Sequence, residues 1–199
     1  MVKSLKGTQT LENLMKAFAG ESQARNRYTF YAERALEEGY DQIAELFIET
    51  ADNEKVHAEI FFNHIKNGLE GEEFPYPVDI KATYPVAISS TLENLKAAAM
   101  GENEEWDKLY PEFADIAEKE GFKDVAVSFR MIAKVEAKHE ERFLKLAKNV
   151  DEGKVFKKDT KVEWKCRVCG YIHEGESAPK LCPTCKVEQD YFEMHCENY

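Results

Sequence analysis

Glu54-Lys55-Val56-His57 and Glu136-Ala137-Lys138-His139 are one four-residue word written twice, 82 positions apart. Side chains three residues apart share a helix face, so each word aims a carboxylate and an imidazole at a common point. With 29 Glu and five His in 199 residues, chance supplies about 0.7 such words, and a single copy would carry no information. The pair rises above chance because both copies occupy equivalent places in an internal repeat. Gly20-Glu21 returns as Gly101-Glu102 at an offset of 81. Ala35-Leu36-Glu37-Glu38-Gly39-Tyr40 returns as Ala117-Glu118-Lys119-Glu120-Gly121-Phe122 at an offset of 82, as do the two words themselves. The second half therefore carries one extra residue between these landmarks.

Each half reads as helix, glycine stop, helix. Gly39 and Gly121 suit the left-handed position that ends a helix, and apolar residues recur at helical spacing on either side. Phe47, Ile48, Ala51, Ile60 and Phe61 are expected on one buried stripe, with Val125, Phe129, Ile132 and Ala133 on its counterpart. Ser90-Thr91-Leu92-Glu93 forms a capping box, and Asn67-Gly68, with Pro75 and Pro77 beyond, marks a helix stop. The expectation is four long helices over 8–38, 40–67, 90–119 and 122–149. Between the second and third runs Leu69 to Ser89, with Pro75, Pro77 and Pro85 and no helical pattern. So long a connection is unusual in a compact domain. It is what a mostly α, ferritin-like four-helix bundle with one long crossover requires.

Two Glu-x-x-His words on facing helices, with a Glu from each of the other two, make a carboxylate-bridged di-iron or di-manganese site. Glu21 and Glu102 hold matching positions on the first and third helices and complete a set of four Glu and two His: Glu21, Glu54, His57, Glu102, Glu136 and His139. Glu105, three residues after Glu102 on the same face, is a further candidate; Glu93 and Glu104 point elsewhere, into solvent. Inward carboxylates without a cation would repel one another at a cost in stability. The fifth carboxylate has a chemical consequence. Two ferric ions carry about six positive charges and two ferrous ions about four, so a site holding Glu105 and neutral His57 keeps its balance by exchanging one for the other on reduction.

Cys166-Arg167-Val168-Cys169 and Cys182-Pro183-Thr184-Cys185 are two Cys-x-x-Cys knuckles, a strong metal-site pattern. Four thiolates in so short a tail fit tetrahedral zinc or a single iron, and the metal is expected to hold the fold together. Spacing alone does not separate the two metals. Gly170-Tyr171 after the first knuckle and Pro183 inside the second match the rubredoxin pattern, in which backbone N–H groups approach sulfur. Disulfides are not expected where thiols are kept reduced, and Cys196 is left over. Residues 1–150 are thus expected as the bundle, 151–160 as a charged linker and 161–199 as a rubredoxin-like metal domain with short strands.

With both blocks in view, the chain resembles the rubrerythrin family over essentially its whole length. The motifs that carry the resemblance are Gly20-Glu21-Ser22-Gln23-Ala24-Arg25-Asn26-Arg27-Tyr28, the two Glu-x-x-His words, Gly101-Glu102-x-x-Glu105 and the Cys166/Cys169/Cys182/Cys185 set. The resemblance implies di-iron ligands at Glu21, Glu54, Glu102, Glu105, Glu136 and His139, joined by His57 in the reduced state. Tyr28 and Tyr110 match tyrosines that hydrogen-bond near the cluster; as bare residues they fit core aromatics equally well. The implied activity is reduction of hydrogen peroxide to water at two non-haem irons. Electrons would enter through the four-cysteine iron from an external donor, a rubredoxin or an NAD(P)H-linked reductase. A head-to-tail homodimer, bringing one tail near the other bundle, is also implied. A di-iron oxidase or ferroxidase acting on oxygen uses the same cage and is the alternative.

Composition sets limits. A net charge of -11 argues against nucleic acid or an anionic membrane surface as a partner. No apolar run approaches a membrane span and the N-terminus lacks a signal-peptide core, so a cytoplasmic location is expected. His64 is expected to end its helix as an ordinary polar residue, and His173 and His195 have no carboxylate partner that spacing suggests. Trp106 is expected only to pack near the site.

Overall fold

The computed structural model of the chain describes residues 3–198. Helix α1 (Gln9–Glu37) and α2 (Asp41–Gly68) form an antiparallel pair joined at Gly39, whose φ of 79° is the left-handed turn anticipated there. The third long helix departs from the unbroken segment expected over 90–119. It consists of α3 (Thr91–Glu104) and α4 (Tyr110–Lys119), joined by a π-helical turn at Glu105–Leu109. A π turn holds one residue more than an α turn. It lies between the landmarks Glu102 and Gly121, where the repeat offset grows from 81 to 82, and so absorbs the extra residue without rotating α4 about the helix axis. Gly121 (φ 85°) then turns the chain into α5 (Lys123–Asp151).

The two halves close on each other reciprocally. Glu38, beside Gly39, accepts from the Thr91 N–H at the start of α3 (3.0 Å). Its repeat mate Glu120 accepts from the Gln9 and Thr10 N–H groups at the start of α1 (3.2 and 2.8 Å). Each carboxylate caps the other half's first helix, where orphan N–H groups and the helix dipole favour negative charge. Aromatic packing follows the same symmetry. Tyr28, Tyr31, Phe47 and Phe143 form a buried cluster at one end of the bundle; Tyr110, Phe113, Phe129 and Phe61, their mates, form another at the far end. Ring centroids of neighbouring rings within the clusters lie 4.8–6.4 Å apart. Ile48, expected on the buried stripe, is 40% exposed and lies off it.

Leu69–Ser89 crosses the bundle without helix or strand. It is tied down where Tyr31 donates to the Ala87 carbonyl and Tyr84 to the Lys16 carbonyl, both at 2.8 Å. In the tail, β1 (Lys157–Cys166) lies between β2 (Ile172–Ser177) and β3 (Phe192–Met194) in an antiparallel sheet. Strand β1 thus takes the last four residues of the segment expected as a linker, leaving 152–156 between α5 and the sheet. Trp164, Cys166, Ala178, Cys182 and Phe192 make a small core, too small to carry a domain without a metal.

Candidate metal centres

Between the two aromatic clusters, Glu21, Glu54, His57, Glu102, Glu136 and His139 converge, each no more than 6% exposed. Their ligand atoms form two quartets, each with all atoms within 4.8 Å of one another. One joins Glu21, Glu54, Glu136 and His57; the other joins Glu54, Glu102, Glu136 and His139. Glu54 and Glu136 belong to both, which is the arrangement of two bridging carboxylates between two metals. His57 Nδ1 lies 2.9 Å from Glu54 and 2.8 Å from Glu136; His139 Nδ1 lies 3.2 Å and 2.8 Å from the same two residues.

The donor set fits a pair of cations. Among the described residues, Glu21 Oε2 and Glu102 Oε2 are buried without a hydrogen-bond partner, while Glu54 Oε1 and the two Glu136 oxygens are buried against the His57 and His139 ring nitrogens. Burying this many carboxylate oxygens together is costly unless cations satisfy them. The titration of the cage says the same. Burial, then the charges of Glu105, Glu136 and Glu54, push Glu21 well up; burial, then Glu54 and Glu136, do so for Glu102. Against the downward pull of burial, Glu136 and Glu54 lift His57 to about 10 and His139 to about 9. Burial would raise Glu54, but the bonds from His139 and His57 outweigh it and hold that carboxyl at about 2. Protons thus occupy places that metal ions would take, and metal binding would release them.

Around the cage, Tyr28 donates to Glu102 Oε1 at 2.5 Å and Tyr110 donates to Glu21, again as repeat mates. Burial, then neighbouring carboxylates, push both phenols well up, so they remain donors. His139 Nε2 faces Asn53 Oδ1 at 3.3 Å, which fixes Nδ1 as the inward, ligating nitrogen. The sequence offered no signal for Asn53, because its repeat mate is Val135. Glu105 belongs to neither quartet. It is half-buried in the π turn, with Oε1 beside Gly20, which the Tyr84 ring also approaches. Burial, then Glu136 and Glu54, push its carboxyl up, and the nearby Arg27 charge opposes them. Trp106 does more than pack: its indole N–H donates to Glu140 at 2.5 Å and pins the π turn to α5.

The other histidines stand apart from the cage. His64 does not end α2; it meets Ser128 Oγ at 2.9 Å with a turn of helix still to run. His195, expected without a partner, lies 2.8 Å from Glu163 through the fold of the sheet.

In the tail, the sulfurs of Cys166, Cys169, Cys182 and Cys185 lie within 4.8 Å of one another. The Cys166–Cys185 and Cys169–Cys182 separations are 3.7 and 3.6 Å. A tetrahedron with metal–sulfur bonds of about 2.3 Å has edges of roughly 3.8 Å, so the cradle is the size one ion needs. Each knuckle is followed by a left-handed residue, Gly170 (φ 77°) and Lys186 (φ 65°). Their N–H groups donate to Cys166 and Cys182 carbonyls at 2.8 and 3.0 Å. Burial would raise the Cys182 thiol, but N–H groups of Cys185 and Thr184 aimed at its sulfur hold it at about 6. All five cysteines are free, Cys196 among them and exposed.

A carboxylate cage for two irons in a ferritin-like bundle, followed by a rubredoxin-like four-cysteine domain, defines a class of non-haem iron oxidoreductase. The family model described as Rubrerythrin matches residues 12–147, and that described as Rubrerythrin, rubredoxin-like domain, matches residues 164–193. The chain is 58% identical to Rubrerythrin-1 of Clostridium acetobutylicum and 57% identical to rubrerythrin of Clostridium perfringens, each over 100% of both chains. Among solved structures, mixed-valence nigerythrin aligns with a TM-score of 0.61 and 32% identity, covering 98% of this chain and 92% of that one. The chain belongs to the rubrerythrin family. No helix among the described residues is long and apolar enough to cross a membrane.

Proposed function

We propose that the chain is a peroxidase that reduces hydrogen peroxide to water, in defence against oxidative stress, with electrons received through its four-cysteine iron. The observation that carries this reading is the pairing, in one chain, of a two-quartet carboxylate cage with a thiolate cradle built for a single-electron iron. A storage protein has no use for such a port. Hydrogen peroxide takes up two electrons and two protons and leaves as two water molecules. Bound iron, held by the cage, would supply the electrons.

The residues prepare for that chemistry. Glu54 and Glu136 would bridge the metals; Glu21 and His57 would complete one subsite, Glu102 and His139 the other. Tyr28 and Tyr110 hold Glu102 and Glu21 in place by donating to them. Glu105 stands off the cage while His57 stands in it, which is the arrangement expected of the reduced site; oxidation would exchange the two. The Cys166/Cys169/Cys182/Cys185 iron would accept single electrons from a rubredoxin or an NAD(P)H-linked reductase in the cytoplasm. Asp41, where the tail meets the bundle, is 13 residues from Glu54 on α2, or about 20 Å of helix. A head-to-tail homodimer would shorten that path.

The test is stopped-flow absorption of anaerobically reduced, iron-loaded protein mixed with one equivalent of peroxide or of oxygen. Fast oxidation by peroxide is expected, with the four-cysteine iron following and oxygen much slower. Faster oxidation by oxygen would establish the oxidase reading instead.

A further inference from the structure

The four-cysteine domain is seated on the bundle, and the seat is built at one end only. Arg167 lies inside the first knuckle, with its side chain 13% exposed. Its guanidinium is 3.0 Å from Asp41, in contact with Glu45, and 3.5 Å from Glu193 of its own sheet. Asp41 and Glu45 are one turn apart on α2 and present a single acidic face. The Arg167 N–H donates to the Tyr191 carbonyl at 2.9 Å, tying the knuckle to the short turn Gln189–Tyr191. That turn brings Asp190 so close to Gly39 that a Cβ there would stand 2.8 Å from its Oδ2. Phe156 stacks on Tyr40, with centroids 6.2 Å and planes 10° apart.

The repeat supplies an internal control. Gly39, Tyr40, Asp41 and Glu45 correspond to Gly121, Phe122, Lys123 and Val127. The turn and the ring persist in the second half, but one carboxylate is replaced by valine and the other by a lysine that would repel Arg167. The bundle thus offers two similar ends and makes one acidic.

We propose that Arg167 is a positioning residue: it seats the four-cysteine domain on the first turns of α2, and this seat fixes the path by which electrons pass between the two metal centres. The proposal rests on the electron-port reading above. Arg167 is covalently part of the knuckle, so its ion pairing with Asp41 and Glu45 on α2 positions the sulfur cradle as well. In the head-to-tail homodimer proposed above, the seat of one tail on its own bundle would set how far its sulfur cradle stands from the other bundle's cage.

The experiment uses the full chain with iron in both centres. The variants are Arg167→Glu, Arg167→Ala, and Arg167→Glu combined with Asp41→Lys and Glu45→Lys. Two quantities are read: hydrogen exchange of the Ala44–Leu46 amides, and the rate at which the four-cysteine iron oxidises after the bundle iron has been oxidised. Arg167→Glu should speed exchange roughly tenfold and slow that passage by about tenfold or more, with bundle oxidation itself unchanged. Arg167→Ala should fall between, and carries the test if the glutamate variant fails to hold iron. The charge-reversed combination should restore both quantities to within about threefold of wild type. Unchanged exchange, loosened exchange without slower passage, or no restoration would each overturn the proposal. A bundle inert to peroxide would instead sink the peroxidase reading, with passage then driven by oxygen to judge the seat.

Discussion

The half before the crossover and the half after it are two copies of one helical pair, yet only the second contains a π turn. Everything symmetric in the site comes from the repeat: Glu54 and Glu136, His57 and His139, Glu21 and Glu102, and the crossed bonds Tyr28–Glu102 and Tyr110–Glu21. The asymmetry comes from one added residue and from one substitution between the halves. At the same 81-residue offset, Glu105 falls opposite Ala24, a buried alanine on α1. One subsite therefore has a carboxylate in reserve and the other has a methyl group. The lesson is that the repeat builds a symmetric cage, while one added residue and a carboxylate at the place of Ala24 make its two sides unequal.

Removing the insertion is the strongest way to break this comparison. Glu104 is exposed at the junction with the π turn, and its deletion would bring the whole repeat to one offset. Glu102 and Tyr110 would keep their orientations, while Glu105 would rotate about 100° around the helix, away from the cage. The protein should still bind two irons, but peroxide turnover should fall by at least about 100-fold, the scale expected when a reacting group is misplaced. Metal analysis and steady-state kinetics on one preparation would decide it; full activity in the deletion variant would remove Glu105 from the mechanism. A smaller effect sharpens the comparison. Tyr28→Phe and Tyr110→Phe each remove one bond to a cage carboxylate, and each should weaken iron binding or activity by roughly tenfold. Equal losses would mean that the subsites are equivalent in their outer contacts. A larger loss for Tyr110→Phe, measured by competition with a chelator, would place the sensitivity on the Glu21 side, where His57 sits.

Much of this is legible in the amino-acid sequence, because the repeat makes each landmark testable against its mate. The metal words, the glycine turns and the four helices follow from side-chain spacing alone. The extra residue is visible too, as the step from 81 to 82, but its form is not. Apolar periodicity averages over a whole helix and does not register one widened turn. Asn53 is invisible because its mate is Val135. Arg167 is hidden for a different reason: a seat between distant elements leaves no local pattern, and a lone arginine inside a knuckle looks like solvated charge. The start of β1 at Lys157 escapes notice because its charged first residues carry none of the alternation that marks a half-buried strand.

The reciprocal caps give the smallest effect and the finest test of how alike the halves are. Glu120 accepts from the N–H groups of Gln9 and Thr10 and from the Thr10 hydroxyl, whereas Glu38 accepts from the Thr91 N–H and pairs with Arg34 at 2.9 Å. Burial would raise both carboxyls, but the bonds from Thr10 and Gln9 in one case, and from Thr91 and Arg34 in the other, hold them below the ordinary glutamate value. A folded-state pKa below the unfolded one gives stability that is present above the unfolded value of about 4.3 and is lost as pH falls through the folded value. At pH 7, Glu120→Ala should therefore cost about 1–2 kcal/mol and Glu38→Ala about 0.5–1 kcal/mol, the range for a lost helix cap. Urea unfolding of the metal-free chains, followed by helical circular dichroism, should show both penalties intact at neutral pH and shrinking as the solution is acidified below about pH 4. If Glu38→Ala proved as costly as Glu120→Ala, the extra bonds at the start of α1 would be contributing nothing, and the two halves would close on each other with equal strength despite their unequal contacts.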